Sequence, residues 1–393
     1  MATGNLLPLV SASASVRGLA QSAAGLGAYI SSYFESTTTT PQYKSNRAWN
    51  DPINNDAKGM FRVYYQNVHG VPRDDATLGQ DLEVLAAYDV GCLCLSETNL
   101  DWNRSYVKFN FLSRQRKTWK HASTTFSTIE MESSSDYMTG GTLTSTVDKW
   151  SSRVYKKQPD PSGMGRWSSQ TLVGKKDSKI TIITGYRCVR NSSGDSSAWN
   201  QEKIFMRDRQ SRQSPHPRKQ FIKDLIEFIN EKRSANHEIM LNLDANELLG
   251  EESQGISKLM RECGLVDLLD IPGVGPEGQL QDTYRRGTSR RIDFMLGTAR
   301  VHSSIRRSGA LEYNDGIVSD HRGLYVDLDP MILFGGNTDD PVAASSRGFT
   351  SKNEKKTKAY LDHLDKYFID HKICERIDKL IEDAPRMTRA SYV

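Results

Sequence analysis

The chain has 393 residues, enough to bury a substantial core, and its 37% hydrophobic and 25% charged content excludes a wholly disordered protein. Its 52 basic and 48 acidic residues leave a net charge of only +4, so the sum excludes a strongly basic protein, and nucleic-acid binding requires a clustered positive face. Five scattered cysteines without a CxxC pair exclude a zinc framework and suit reduced, buried thiols in an intracellular protein of the nucleus or cytoplasm.

The first 57 residues are rich in Ser, Ala and Thr and read as a flexible tail, with a short helix around Val16 to Tyr33. Their single early arginine, Arg17, makes an organelle-targeting segment a weak reading. From Lys58 the texture changes. Phe61, Val63 and Tyr65 alternate with Arg62, Tyr64 and Gln66, the period of a strand, which ends at Asn67. Leu78, Leu82, Leu85 and Ala86 then fall at helical spacing, and Val90 to Leu95 forms an apolar run ending in Ser96 and Glu97. Lys179 to Tyr186 is β-branched, Phe221, Leu225, Phe228 and Ile229 mark a helix face entered after Pro215 and Pro217, and Glu238 to Leu243 is a strand. Arg291 to Leu296 and Leu324 to Leu328 are two more strands, with Ser319, Asp320 and His321 between them.

The catalytic body is expected over 58–330, followed by a linker over 331–355 and a helical tail over 356–393 whose apolar stripe needs a partner surface. No stretch approaches the roughly 18 apolar residues needed to cross a bilayer, so the chain reads as soluble, without a membrane partner.

Each strand end carries a polar residue: Asn67, Glu97, Tyr186, Asp244 with Asn246, Asp293, and Asp320 beside His321. Such a set suits phosphodiester hydrolysis, which needs a cation, a group to prepare water, and donors for the charge growing on the phosphoryl oxygens. Magnesium takes oxygen ligands and keeps several waters, so one or two carboxylates suffice, and manganese could replace it. Singly, each residue has a plainer role: a turn at Asn67, a cap at Glu97, an Asx turn at Asp244, a structural histidine at His321. Their order along the chain argues for a shared rim.

The segments Gln66-Asn67-Val68-His69-Gly70, Ser96-Glu97-Thr98, Gly185-Tyr186-Arg187, Leu243-Asp244-Ala245-Asn246-Glu247, Arg291-Ile292-Asp293-Phe294 and Ser319-Asp320-His321-Arg322 resemble, in order, the signature blocks of the endonuclease/exonuclease/phosphatase superfamily, the DNase I-like proteins. The resemblance implies an α/β, four-layer sandwich of two packed mixed β-sheets flanked by helices. It implies Glu97 as principal magnesium ligand with Asn67 and Asp320 nearby, and Asp244 orienting or deprotonating water. It further implies phosphate contacts from Asn246, Tyr186 and His321, and Asp293 holding the imidazole charged. In appearance the blocks are nearest to exonuclease III and apurinic-type endonucleases. Two departures stand out: His69 occupies a position where those enzymes often have an acid, and Arg290 one where they tend to have an aromatic, which weighs against specific abasic-site cleavage.

Basic residues narrow the substrate. Arg285, Arg286, Arg290 and Arg291 flank one block, Arg306 and Arg307 follow, and Arg114, Arg116, Lys117 and Lys120 surround Trp119. The expected partner is therefore nucleic acid, DNA first, tracked by the arginines with Trp119 stacking on a base. The Thr283-Tyr284-Arg285-Arg286-Gly287 and Asp320-His321-Arg322-Gly323-Leu324 blocks are similar to endonuclease regions of retrotransposons. A phosphatase of inositol or other small phosphoesters, and a non-catalytic nucleic-acid-binding relative, remain the alternatives.

Overall fold

The computed structural model describes residues 49–53, 59–190, 197–211, 214–269, 282–286, 290–337 and 353–383. The expected helix around Val16 to Tyr33 and most of the expected linker lie outside them. The chain divides into two compact units, residues 1–341 and 342–393.

In the first unit, strands β1 (Trp49–Asn50), β2 (Phe61–Asn67), β3 (Cys92–Ser96), β4 (Ala122–Ser127) and β5 (Thr142–Val147) are followed by β6 (Val154–Pro159), β7 (Trp167–Val173) and β8 (Lys179–Tyr186). After these come β9 (His237–Asp244), β10 (Val266–Asp267), β11 (Asp293–Gly297), β12 (Ile305–Ala310) and β13 (Leu324–Leu328). They form a seven-stranded sheet, β1-β12-β13-β2-β3-β5-β4, and a six-stranded sheet, β10-β11-β9-β8-β7-β6. Both are mixed, with β2 and β3 parallel in the first and β8 and β9 parallel in the second.

Side-chain alternation builds three apolar layers. Phe61, Val63 and Tyr65 of β2, Cys92 and Cys94 of β3, Ile180 and Ile182 of β8, and Met240 and Met295 meet between the sheets. Tyr64, Leu93, Leu95 and Tyr325 point the other way, onto Leu78, Leu82 and Leu85 of helix α1 (Asp75–Ala87) and Val107 and Phe111 of α2 (Ser105–Thr118). Behind the second sheet, Ile239, Leu241, Leu243, Phe294 and Leu296 pack on α4 (Pro217–Ser234) and α5 (Ile256–Cys263), which follow α3 (Ala198–Asp208) in the chain. The α1 helix starts where Asp74 accepts from Thr77 N at 2.7 Å, and α4 starts with Pro217 in its first turn, where no intrahelical amide partner is lost.

The alternation of β2 reads as a strand with one solvated face, yet all seven of its residues are buried. Being central in a covered sheet, it must neutralise its polar members internally. Arg62 pairs with Asp327 through Nε–Oδ1 at 2.6 Å and Nη2–Oδ2 at 2.8 Å, and Tyr64 donates to Gln66 Oε1 at 2.5 Å.

The folded body also extends beyond the expected 58–330. Trp49 and Asn50 pair with Ala310 and Gly309, and Leu333 and Phe334 of α7 (Pro330–Phe334), after the short α6 (Ala299–Ser303), join the core between the sheets. The second unit contains α8 (Glu354–Asp370), capped by Asn353 Oδ1 accepting from Lys356 N at 3.1 Å, and α9 (Ile373–Asp383).

Candidate active site

Parallel pairing gathers the polar strand ends. In the first sheet Asn67 stands opposite Ser96, so Glu97 begins the loop beside it. In the second, Tyr186 stands opposite Asp244, and the antiparallel β11 starts with Asp293 paired to Asp244. Both sheets thus present these residues at corresponding ends. The loops leaving this rim hold non-glycine residues in the left-handed region, His69 (φ 49°), Glu97 (φ 52°), Asn99 (φ 54°) and Asn246 (φ 49°), a conformation that costs roughly 1–2 kcal/mol each and must be held by its surroundings. Around Glu97 the hold is explicit: Thr98 N donates to Gly141 O at 3.2 Å and Asn99 N to Gly140 O at 2.8 Å. Gly141, at φ 76°, has no room for a side chain, since a Cβ there would lie 2.9 Å from Thr98 Oγ1.

Asn67 ties the two sheets together. Its Nδ2 donates to Glu97 Oε2 at 2.9 Å and to Asp244 Oδ2 at 2.7 Å, while its Oδ1 accepts from His69 N at 2.9 Å. Asn67 orients the two carboxylates through its amide hydrogens, and its oxygen keeps a second lone pair beyond the bond from His69. Asp244 also accepts from Asn246, from N at 2.9 Å on Oδ1 and from Nδ2 at 3.0 Å on Oδ2. The Asx turn expected as the plainer explanation of Asp244-Ala245-Asn246 is therefore present within the cluster. Both Asn246 amide hydrogens have acceptors, Asp244 Oδ2 and Arg187 O at 2.9 Å, so in this arrangement Asn246 supports Asp244. Burial, and then the charge of Asp293, push the Asp244 carboxyl above the usual carboxylate range. Glu97 goes the other way: burial opposes its charge, but hydrogen bonds from His69 and Asn67 outweigh it and hold its pKa low.

Asp293 and His321 meet at 2.7 Å, Oδ2 to Nδ1. Both oxygens of Asp293 have donors, with Thr283 Oγ1 donating to Oδ2 at 2.7 Å and Tyr65 OH to Oδ1 at 3.2 Å. The Tyr284 ring lies 4.8 Å from the imidazole, centroid to centroid. Burial works against a charged imidazole, yet the carboxylate of Asp293 overrides it and lifts the His321 pKa to about 9.

Asp244, Asp293 and His321 bring potential ligand atoms within 4.8 Å of one another. Geometry alone makes this trio a candidate cation site, but Asp293 and Nδ1 of His321 are consumed by their mutual bond. Glu97 and Asp320 lie outside that span, and each offers a carboxylate to a divalent cation. Asp320 Oδ1 is buried without a hydrogen-bond partner among the described residues, Glu97 is ionised, and carboxylate oxygens suit a hard cation such as magnesium or manganese.

Tyr186 is buried, its ring 3.4 Å from where a Cβ on Gly140 would stand; burial first, then Glu97 and Asp244, push its phenol up, so it stays a neutral donor. Arg285 and Arg286 are exposed, while Arg285 stacks over Tyr313 at 4.6 Å and donates to Asn314 Oδ1 at 2.9 Å. Arg286 has no ion pair among the described residues; the hydrogen bond to Glu97 raises the pKa of His69 against burial, and Arg286 lies close enough to oppose that rise slightly. Arg290 pairs loosely with Glu251 at 3.6 Å.

Two expected contacts with nucleic acid are corrected. Arg291 is buried, paired with Asp267 and stacked over Phe294 at 5.3 Å, which makes it part of the core. Trp119 is 3% exposed within the layer beneath α1 and α2, so its indole cannot stack on a base. The neighbouring charges face each other in the same way, Arg114 and Lys117 both reaching Asp75 Oδ2 at 3.2 Å.

Sequence reasoning overlooked Thr283 and Tyr65, which orient Asp293, and the ion network beneath Asn246. There Arg187 reaches Glu247 and, at 2.6 Å, Glu252, while Arg218 donates to Glu252 Oε1 at 2.7 Å and 2.9 Å. A readable signal existed for three of them: Thr283, Arg187 and Glu247 each stand in a block already singled out.

No family model and no curated protein matches the chain. Among solved structures it is similar to the AP endonuclease LMAP from Leishmania major, with a TM-score of 0.51 and 15% identity over 75% of this chain and 93% of that one. The two share a fold, the DNase I-like sandwich of two mixed sheets flanked by helices. Two others are more distant: a 3' phosphatase from Neisseria bound to product DNA hairpin (TM-score 0.44, 16% identity, 68% of this chain and 99% of that one) and an endonuclease/exonuclease/phosphatase family protein from Leptotrichia buccalis (0.42, 14%, 68% and 99%).

Proposed function

We propose that the chain is a divalent-cation-dependent phosphodiesterase that cuts nucleic acid, DNA in the first place, as an endonuclease of the retrotransposon-associated kind. The observation that carries this reading is the joining, by Asn67, of an ionised Glu97 to an Asp244 that stands directly opposite Asp293 of the Asp293–His321 pair. A cation bound at Glu97 and Asp320 would neutralise phosphate charge and draw electron density from phosphorus. Asp244, with its raised pKa, accepts the proton of the attacking water near neutral pH. The His321 imidazolium, fixed through Nδ1, offers its other N–H to a phosphoryl oxygen, where negative charge grows as the new P–O bond forms and the ester P–O bond breaks. The exposed Arg285 and Arg286, together with Arg290, supply the contacts for a polyanionic strand. Kinship in fold with an AP endonuclease supports nucleic acid as substrate, without a specific preference for abasic sites.

The test is incubation of purified protein with supercoiled plasmid, abasic duplex, RNA and inositol phosphates, each with magnesium, manganese or EDTA. Cation-dependent nicking that Asp244→Asn abolishes is expected. Phosphate release from inositol phosphates with every nucleic acid left intact would overturn the nuclease reading.

A further inference from the structure

Helices α8 and α9 form a hairpin without an interior. None of its described residues, 353–383, is buried, and only Thr357, Leu364, Ile373 and Asp383 are half-buried. A hairpin this short, with no disulfide, depends on a further surface for its stability. Its apolar residues are spaced for one. Leu361, Leu364 and Phe368 in α8, and Ile373, Ile377 and Leu380 in α9, follow the three- and four-residue steps of a coiled-coil seam. Leu361 and Ile377 are each 48% exposed and Leu380 51%, so the seam is open to a partner.

The charges identify that partner. Seven basic and eight acidic residues leave the hairpin close to neutral, which does not suit an anionic membrane or nucleic acid. Along α8 they are sorted: Lys355, Lys356 and Lys358 stand near its start, and Asp362, Asp365 and Asp370 from its middle to its end, where the last turn holds no basic residue. Glu354 apart, this order runs against the helix dipole, which favours acids at the start and bases at the end, so α8 by itself is not stabilised by it. Among the described residues these six charges have no ion pair, while Lys372 and Glu375 of the same hairpin meet at 3.8 Å.

We propose that the hairpin pairs with that of a second copy of the chain, α8 against α8 in antiparallel sense, making the protein a dimer. Reversal of one copy turns the sorted charges into complementary ones, whereas a parallel pair would set the basic start of one α8 beside the basic start of the other. Lys358 and Asp365 each follow a seam position, Thr357 and Leu364, and so lie on one flank of the helix. Antiparallel packing brings that flank against the same flank of the second copy. With Leu361 set opposite Leu364 of the second copy, Lys358 faces its Asp365, and the two-fold axis repeats both contacts. The seam of α9 joins the shared core, a four-helix arrangement.

Sedimentation velocity of the full chain at about 1–100 μM tests this. The wild type should sediment at twice the 44.2 kDa of one chain, and the double variant Leu361→Glu, Phe368→Glu as a monomer. Lys358→Glu and Asp365→Lys should each weaken the dimer by about 10-fold, since two attractive pairs become two repulsive ones. An equimolar mixture of these two variants should regain wild-type affinity, because each then meets the opposite charge. A monomeric wild type would overturn the proposal, as would a dimer that survives the double substitution, charge variants without effect, or losses that mixing does not restore.

Discussion

Replacing Asp293 by asparagine keeps the shape of the side chain and removes the charge that holds His321 protonated. With a pKa of about 9, roughly 97% of His321 is protonated at pH 7.5; at the ordinary value near 6.5 only about 9% would be, and burial, no longer opposed, pushes it lower still. Loss of charge alone therefore costs about 10-fold at that pH, and loss of ring orientation brings the expected effect to about 10²-fold or more. His321→Ala should cost a similar factor. If the two act as a unit the double variant also loses about 10²-fold, against the 10⁴-fold of independent effects, a coupling of about 2.7 kcal/mol. The assay is initial rate of plasmid nicking from pH 6 to 10 for wild type and the three variants. Thermal melts of each would show that the fold persists. The basic limb, near pH 9 in wild type, should move below 7 in Asp293→Asn. Stability carries the same sign: the raised pKa contributes stability that is complete below pH 6.5 and is lost as pH rises through about 9, and Asp293→Asn should abolish that slope. Multiplicative losses with an unmoved profile would refute the pairing.

Glu97→Gln should remove most activity and weaken divalent-cation binding while the melting temperature stays close to wild type, which calorimetry and differential scanning would show. Neutralising Arg285, Arg286 and Arg290 together should flatten the salt dependence of DNA affinity by up to about 0.9 in logarithmic slope per lost phosphate contact, with turnover at saturation changed less. Trp119→Ala should destabilise the fold by about 3–5 kcal/mol in urea titration while leaving DNA affinity of the folded fraction unchanged, because the indole is a core residue. Arg187→Met leaves Glu247 buried with weaker compensation and should cost about 3–5 kcal/mol, together with activity lost through Asn246 and Asp244.

The strands that carry the rim were legible because they are apolar and end abruptly in a polar residue. Val90 to Leu95 before Glu97 and Glu238 to Leu243 before Asp244 show this at a glance. The middle of the fold was not, since β4, β5 and β7 are built from Ser, Thr and Gln and resemble loop. In the structure these side chains satisfy one another between the sheets: Thr144 Oγ1 lies 2.7 Å from Thr184 Oγ1 and 2.9 Å from Ser168 Oγ, and Thr146 donates to Gln170 Oε1 at 2.6 Å. A hydroxyl buried against another hydroxyl has the same letter as one facing water. Only the pairing of strands distant in sequence tells them apart.

The same ambiguity divides the fate of the candidate catalytic residues from that of the basic ones. Asn67, Asp244 and Asp293 come together by strand register, which follows from local rules: parallel neighbours end on one rim, and an antiparallel neighbour begins there. A charged residue on a loop or helix obeys no such rule, because its role depends on whether some remote carboxylate happens to meet it. Asp267 meets Arg291 and takes it into the core, Asp75 meets Arg114 and Lys117, and Glu251 meets Arg290 at the surface. Six adjacent letters, from Arg286 to Arg291, thus span one arginine with no acidic partner among the described residues and one that is a structural member of the interior. Polar residues at strand ends are accordingly more readable from sequence than a basic surface, and among the described residues Arg285 and Arg286 are the arginines of this cluster that no carboxylate meets.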